Sequence, residues 1–388
     1  MSTIKVDGIR SNSASSDAIT LASDGTCTAN ITSVNDGQLG NRRININGGF
    51  QVFQRSTSAT SVGSSEGYFA PDRYRQAGTG SMRYTASQST DVPAGYGFSH
   101  SLKYDCTTAS GTVDAGHFVA IEHRLEGQDV QVFCKGTAQA KQYTLSFHVK
   151  SPKTGIHVVE LYDNDNDRHV CKSYTISSAD TWQAVTLTFP ADTTGAFGND
   201  NGSSLRIFFW LMAGTTFTGS TLPSAWASFS STARATGQVN VFDSTSNDFF
   251  ITGIQLEVGS VATDFEHRSF QVEKRLCMRY FQRYVNLAAH GYVPDNGSRS
   301  YSHGFVFPVA MRTTPSTTLT NTGSTAGQYI SDGQNVVNVS ALNATGHTAE
   351  IAELYFNLSG DLTDFRGAYL ISSSSTSRQT TYSFDAEL

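Results

Sequence analysis

The sequence predicts an all-β protein: a jelly-roll sandwich, a smaller C-terminal β-sandwich, a short linking helix and an extended N-terminal segment. Three observations carry this. Only 15% of the 388 residues are charged and only 8 are proline, while Ser, Thr, Gly, Tyr and Phe abound; that mixture favours short strands joined by polar turns. Apolar and polar residues alternate with period two through much of the chain, as half-buried strands require. The turns between these runs are built of Gly, Asn, Asp and Ser, which supply positive φ or bond their own backbone.

Residues 1–43 are low in aromatics, and their few apolar positions, Ile19, Leu21, Cys27 and Ile31, are separated by Ser, Asp and Gly. A segment this polar cannot bury enough surface to fold alone, so it is either ordered by partners or a flexible tail. Residues 44–268 form the jelly roll. In YTLSFHVK (143–150), Tyr143, Leu145, Phe147 and Val149 take one face and Thr144, Ser146, His148 and Lys150 the other. IHVVELY (156–162) and TWQAVTLTFP (181–190) repeat the pattern, and LRIFFWLMAG (205–214), apolar on both faces apart from Arg206, is a central strand. FFITGIQLEV (249–258) closes the set. Residues 269–285 place Val272, Leu276 and Tyr280 at helical spacing, with Arg275, Arg279 and Arg283 around them. This helix packs either near a symmetry axis, its arginines meeting Glu273 or a neighbour's carboxylate, or against a sheet of its own subunit. Residues 286–388 return to β patterning in GFVFPVAM, EIAELYFNLS, FRGAYLISS and TTYSFDAEL.

Several segments resemble structural proteins of tailed-bacteriophage virions, fibres among them, that carry a jelly roll like that of carbohydrate-binding modules. The junction QLEVGSVATDFEHRSF (255–270) is similar to one found there between a jelly roll and an Arg-rich helix. NRRININGGFQVFQR (41–55) and YFAPDRYRQAG (68–78) resemble the first strand of those proteins, and FVFPVAMRTTPSTTLT (305–320) and SFDAEL (383–388) their distal domain. The resemblance implies a homotrimer in the virion, attached to other virion proteins through residues 1–43, with outward domains that bind host surface polysaccharide. The structural calcium that carbohydrate-binding jelly rolls often hold uses an Asp in the last strand, where this chain has Thr252 and Gly253.

The remaining chemistry is sparse. A net charge of −6 gives no basic footprint for nucleic acid. No run of eighteen apolar residues exists for membrane insertion, and the N-terminus has neither the basic start nor the apolar core of a signal peptide. Five widely spaced cysteines without a CxxC pair read as buried thiols rather than a zinc site. The loop YDNDNDRH (162–169) begins like a calcium loop, but Arg168 stands where glycine is required, so it reads as a polar turn without an ion. No paired carboxylates, GxSxG, HExxH or phosphate loop is present, which argues against an enzyme and against a cofactor. Sugar binding calls for open aromatic faces beside polar groups. Trp210 and Trp182 read as core. Trp226, in a long Ser- and Thr-rich connection, either presents its ring to a glycan or plugs the end of the sandwich; Tyr68 and Tyr74 are further candidates. The expected function is a trimeric tail fibre or spike that binds host glycans, the alternative a head-decorating or collar protein without receptor binding.

Overall fold

The computed structural model describes residues 41–285 without interruption, together with 8–9, 19–21, 23, 27–29, 290–293, 299–321, 328–331, 336–345, 348–358, 360, 362, 367–372 and 380–388. Strands β1 (Gly8–Ile9), β2 (Ile19–Leu21) and β3 (Cys27–Ala29) pair in that order as a small antiparallel sheet. Most of the proposed attachment segment lies outside the described residues.

A two-sheet jelly roll follows. Its strands are β4 (Ser58–Val62), β5 (Tyr74–Ala77), β6 (Arg83–Ser89), β7 (Ser101–Thr108), β8 (Phe118–Glu126), β9 (Tyr143–Lys150), β10 (Gly155–Asp163), β11 (Arg168–Ile176), β12 (Gln183–Phe189), β13 (Ser203–Ala213), β14 (Ala227–Ser228) and β15 (Asp248–Val258). One sheet runs β12-β9-β15-β7-β6-β4 and the other β14-β11-β10-β13-β8-β5. Strand β9 alternates as its sequence requires, with Tyr143, Leu145, Phe147 and Val149 buried between the sheets. Facing rings such as Phe147 and Phe209, 5.2 Å apart edge to face, interdigitate across the core. Strand β13 lies inside its sheet between β10 and β8, with Ile207, Phe209 and Leu211 in the core and Trp210 covered on the other face by Phe217, which is why it is apolar on both faces.

The two segments with the most distinctive sequence form one clasp. Asn45 lies beside β15 and mimics a strand with its side chain: Nδ2 donates to the Ile254 carbonyl at 2.8 Å and Oδ1 accepts from Leu256 N at 2.8 Å. Asn47, at φ 58°, accepts from Gln51 N and Val52 N and donates to Val52 O and Asp72 O. Glu266 accepts from Arg43 N at 2.7 Å, and buried Glu273 takes both Asn47 N and the Arg43 guanidinium. Gly48 is required by close approach, since a Cβ there would sit 2.0 Å from the Ile254 carbonyl oxygen. His267 anchors the junction, with Nε2 2.9 Å from Tyr96 O. The clasp thus joins residues 43–47, which precede β4 and form no strand although their sequence resembles a first strand, to the end of the jelly roll and to the helix.

Helix α1 spans only Phe270–Met278, capped by Ser269. The helix expected through residue 285 instead gives way to strand β16 (Phe281–Val285). The sequence FQRYV is aromatic and β-branched, and its antiparallel pairing with the final strand overrides the helical spacing of the preceding turn. The buried face of α1 is Glu273 and Cys277, while Val272 stays half exposed. Arg279 forms a two-pronged ion pair with Glu126 of the same chain, both distances 2.7 Å.

Beyond it come β17 (His290–Tyr292), β18 (Arg299–Val306), β19 (Ser316–Asn321), β20 (Gln328–Ser331), β21 (Val336–Thr345), β22 (Ile351–Leu358), β23 (Gly367–Ser372) and β24 (Thr380–Asp385). Six of them close into a barrel, β17-β18-β22-β21-β20-β23, beside a three-stranded sheet β16-β24-β19. A second sandwich was expected; closure differs from it by pairing β23 with both β17 and β20, which leaves the set no free edge. The chain then returns to the jelly roll, where Glu387 pairs with Arg73 and Arg55.

Candidate functional site

Strand register builds a cleft on the outer face of the β5-containing sheet. Arg75 of β5 lies opposite Glu122 of β8, Glu122 opposite Phe208 of β13, and Phe208 opposite Glu160 of β10. One row along, Arg124, Arg206 and Tyr162 stand side by side in the same way. Side chains on alternate positions share a face, so these two rows project together from the sheet. The connection between β13 and β15 crosses this face. Its Phe217 packs on Phe118 (4.8 Å) and Trp210 (5.6 Å), and its Phe229 meets Tyr162 edge to face at 5.3 Å. The connection covers part of the sheet, and beside it lies a cleft of about 230 Å³.

The floor is charged and strongly coupled. Glu122, buried, accepts from Arg75 Nη1 at 2.8 Å and from Arg124 Nε at 2.7 Å, with Arg206 Nη1 at 3.7 Å. Arg75 also pairs with Glu66. Arg234 crosses from the covering connection to Glu160, at 2.8 to 3.0 Å, and stacks over Trp210. Arg206 differs. Its Nε is buried without a hydrogen-bond partner, and burial, reinforced by the neighbouring Arg124 guanidinium, pulls its pKa below the ordinary arginine value. Tyr162 donates its hydroxyl to Asp167 at 2.8 Å, and burial together with that carboxylate pushes the phenol up to about 12.

The residues singled out from sequence do not gather here. Trp226 is a correction: only 8% exposed, it packs on Tyr143, donates Nε1 to Pro190 O at 2.9 Å and lies 5.2 Å from the Lys135 ammonium. It plugs the end of the sandwich, because its indole finds both apolar cover and a carbonyl there. Tyr74 is a second correction. It points into the core at 1% exposure, with Asn45 Nδ2 3.3 Å from its hydroxyl. Tyr68 is part-buried under Arg55, its hydroxyl 3.4 Å from Leu388 O. Trp210 is buried, but on the outer face under the covering connection. Trp182, expected in the core, stands half exposed on the outer face of the other sheet and donates Nε1 to Asp91 at 2.9 Å.

Sequence reasoning missed Glu122, Arg124 and Tyr162 as a group, since only register unites them. The available signal was the run of alternate charges, Glu122, Arg124 and Glu126, that follows the apolar start of the strand FVAIEHRLE, matched by Arg206 in LRIFFWLMA.

Two cation-like arrangements also need placing. Glu160, His169 and Cys171 bring three ligand atoms within 4.8 Å of one another, but Arg234, Trp210 and His169 already engage the Glu160 carboxylate. The second lies at the 162–169 turn. There Lys135, with a fully buried side chain, directs its ammonium to Asp163 (2.6 Å), Asp192 (3.1 Å) and the carbonyls of Thr194 (2.8 Å) and Gly195 (2.7 Å). The four oxygens that a hard cation would use are bound by a side chain. Asp163 also accepts from Asp165 N and Asn166 N, as a turn-forming aspartate does, and Arg168 pairs with Asp192. Among the described residues Cys106, Cys134, Cys171 and Cys277 are free thiols.

No protein-family model matches this chain, and neither does any curated protein. Among solved structures, part of the chain is similar to the enzymatically active domain of bacteriophage CBA120 tailspike protein 4, at 14% identity and a TM-score of 0.29, covering 55% of this chain and 21% of that one. It is also similar to a family 11 carbohydrate-binding module from Clostridium thermocellum, in complex with a mixed-linked tetrasaccharide, at 11% identity and a TM-score of 0.26, covering 53% and 98%.

Proposed function

We propose that this protein is a non-catalytic virion component of a tailed bacteriophage, a trimeric fibre or spike, that binds host surface glycans through the outer face of the β5-containing sheet. The observation that carries the binding reading is the cleft in which Tyr162 and Phe229 stand among Glu122, Arg124 and Arg206. Ring faces and edges cover the apolar faces of a pyranose, and fixed charged groups address its hydroxyls. The virion assignment draws on the clasp segments, whose sequence resembles phage structural proteins and whose residues lock the stretch ahead of β4 to β15 and α1. Three copies per fibre raise effective affinity for a surface dense in sugar without any new contact.

The test is binding of fluorescently labelled full-length protein to a panel of bacterial strains, with and without periodate oxidation of their surface sugars, alongside its mass in solution. Periodate-sensitive binding by a trimer, reduced by Tyr162→Ala, is the expected result. A folded oligomer that binds no strain would favour a head-decorating or collar role, and a monomeric mass would remove the trimer.

A further inference from the structure

We propose that the cleft selects acidic glycans, seating the carboxylate of a uronic-acid-type sugar on Arg206; this rests on the glycan-binding reading above. Four guanidiniums, of Arg75, Arg124, Arg206 and Arg234, are set against the three carboxylates of Glu66, Glu122 and Glu160. Three of these arginines are committed at hydrogen-bond distance. Arg75 divides itself between Glu66 and Glu122, Arg124 grips Glu122 and the Leu388 backbone oxygen, and Arg234 grips Glu160. Arg206 alone has its nearest carboxylate at 3.7 Å, beyond a hydrogen bond, and a buried Nε without a partner.

The Arg206 side chain is 25% exposed, so its fork opens into the cleft while its Nε is buried without a partner, and an unmade hydrogen bond at a buried polar atom costs stability. A ligand that brings one planar anion relieves it. The guanidinium fork fits a carboxylate with two parallel N–H···O bonds. Arg206 also stands 5.7 Å from the Tyr162 ring, so the anion site and an aromatic face adjoin within the span of one sugar. At the rim, Asp167 is held by the Tyr162 hydroxyl. A neutral sugar would satisfy the hydroxyl contacts but leave the Arg206 charge as it stands.

The experiment is affinity electrophoresis and calorimetry of the full chain against polygalacturonate, alginate and hyaluronan, each paired with its carboxyl-reduced form, with dextran sulfate and neutral glucans alongside. The expected result is binding of at least one uronate polymer, weakened about tenfold or more when its carboxyls are reduced, the scale of one charge-assisted hydrogen bond. R206Q should remove most of the difference in affinity between the acid and the reduced form. R206K, which keeps the charge but not the fork, should fall between wild type and R206Q, and unchanged melting of both variants shows that they fold. Equal binding of acid and reduced polymers would overturn the acid preference while keeping glycan binding. R206Q acting on neither form would also overturn it, as would dextran sulfate binding as tightly as the uronates. If no polymer and no neutral glucan binds the folded protein, the glycan-binding reading falls as well.

Discussion

Lys135→Met should be among the most damaging single changes in the jelly roll. The native ammonium is enclosed by two carboxylates and two carbonyls at 2.6 to 3.1 Å, and its side chain has no solvent exposure. Methionine keeps nearly the same length and volume, so the packing term is small. What remains is electrostatic: Asp163 and Asp192 stay buried with their shared cation removed, a change that costs about 3–5 kcal/mol. For a domain of this size, each kcal/mol lowers Tm by about 2–4 °C, so the fall should be about 6–20 °C. Denaturant unfolding of wild type and variant at pH 7 measures this. A loss under about 1 kcal/mol would refute the picture of a buried ammonium binding the turn.

Lys135→Ala should open the same four-oxygen site, so that millimolar calcium raises the melting temperature of this variant and leaves wild type unchanged; no calcium response would mean that the oxygens relax apart. Burial lowers the pKa of His157 to about 4, so the unfolded chain takes up a proton first as pH falls from 6.5. Its contribution is therefore intact above pH 6.5 and lost toward pH 4, up to about 3 kcal/mol. Asp72, raised by burial to about 6, acts in the opposite sense between pH 4 and 6, so the relevant quantity is the stability of wild type minus that of His157→Gln, which should be constant above pH 6.5 and fall as pH drops from 6.5 to 4. Gly48→Ala should cost about 3 kcal/mol, the upper end of overpacking, because its Cβ would collide with the Ile254 carbonyl, whereas Gly111→Ala, with open space around it, should melt like wild type.

Strand content was legible wherever one face met the core and the other met water, as in β9, because burial imposes a period of two on the sequence itself. The limits of α1 were not. Tyr280 and Phe281 continue a helical spacing, yet the pairing of Phe281 with Asp385, a hundred residues away, decides their conformation. Trp226 was legible as one of two alternatives, and the choice between them depended on Pro190 and Lys135, which no local pattern places beside it. The cleft was hidden for the same reason. Glu122, Tyr162 and Arg206 come from three strands, and only register and the path of the connection after β13 bring them together. In hindsight the charges inside two apolar strands were the trace they left. The segments 41–55 and 255–270, by contrast, stood out in the sequence, and the structure shows that they meet through the side chains of Asn45, Asn47 and Glu266.

The central claim is that sugar binds on the outer face of the β5-containing sheet. A crystal structure of the full chain soaked with the tightest-binding oligosaccharide tests it most directly. The account predicts density against Tyr162 and Phe229, with a polar group within hydrogen-bond distance of Arg206. Ordered sugar seated elsewhere, for instance beside Trp182 on the opposite sheet, with this cleft empty, would contradict it.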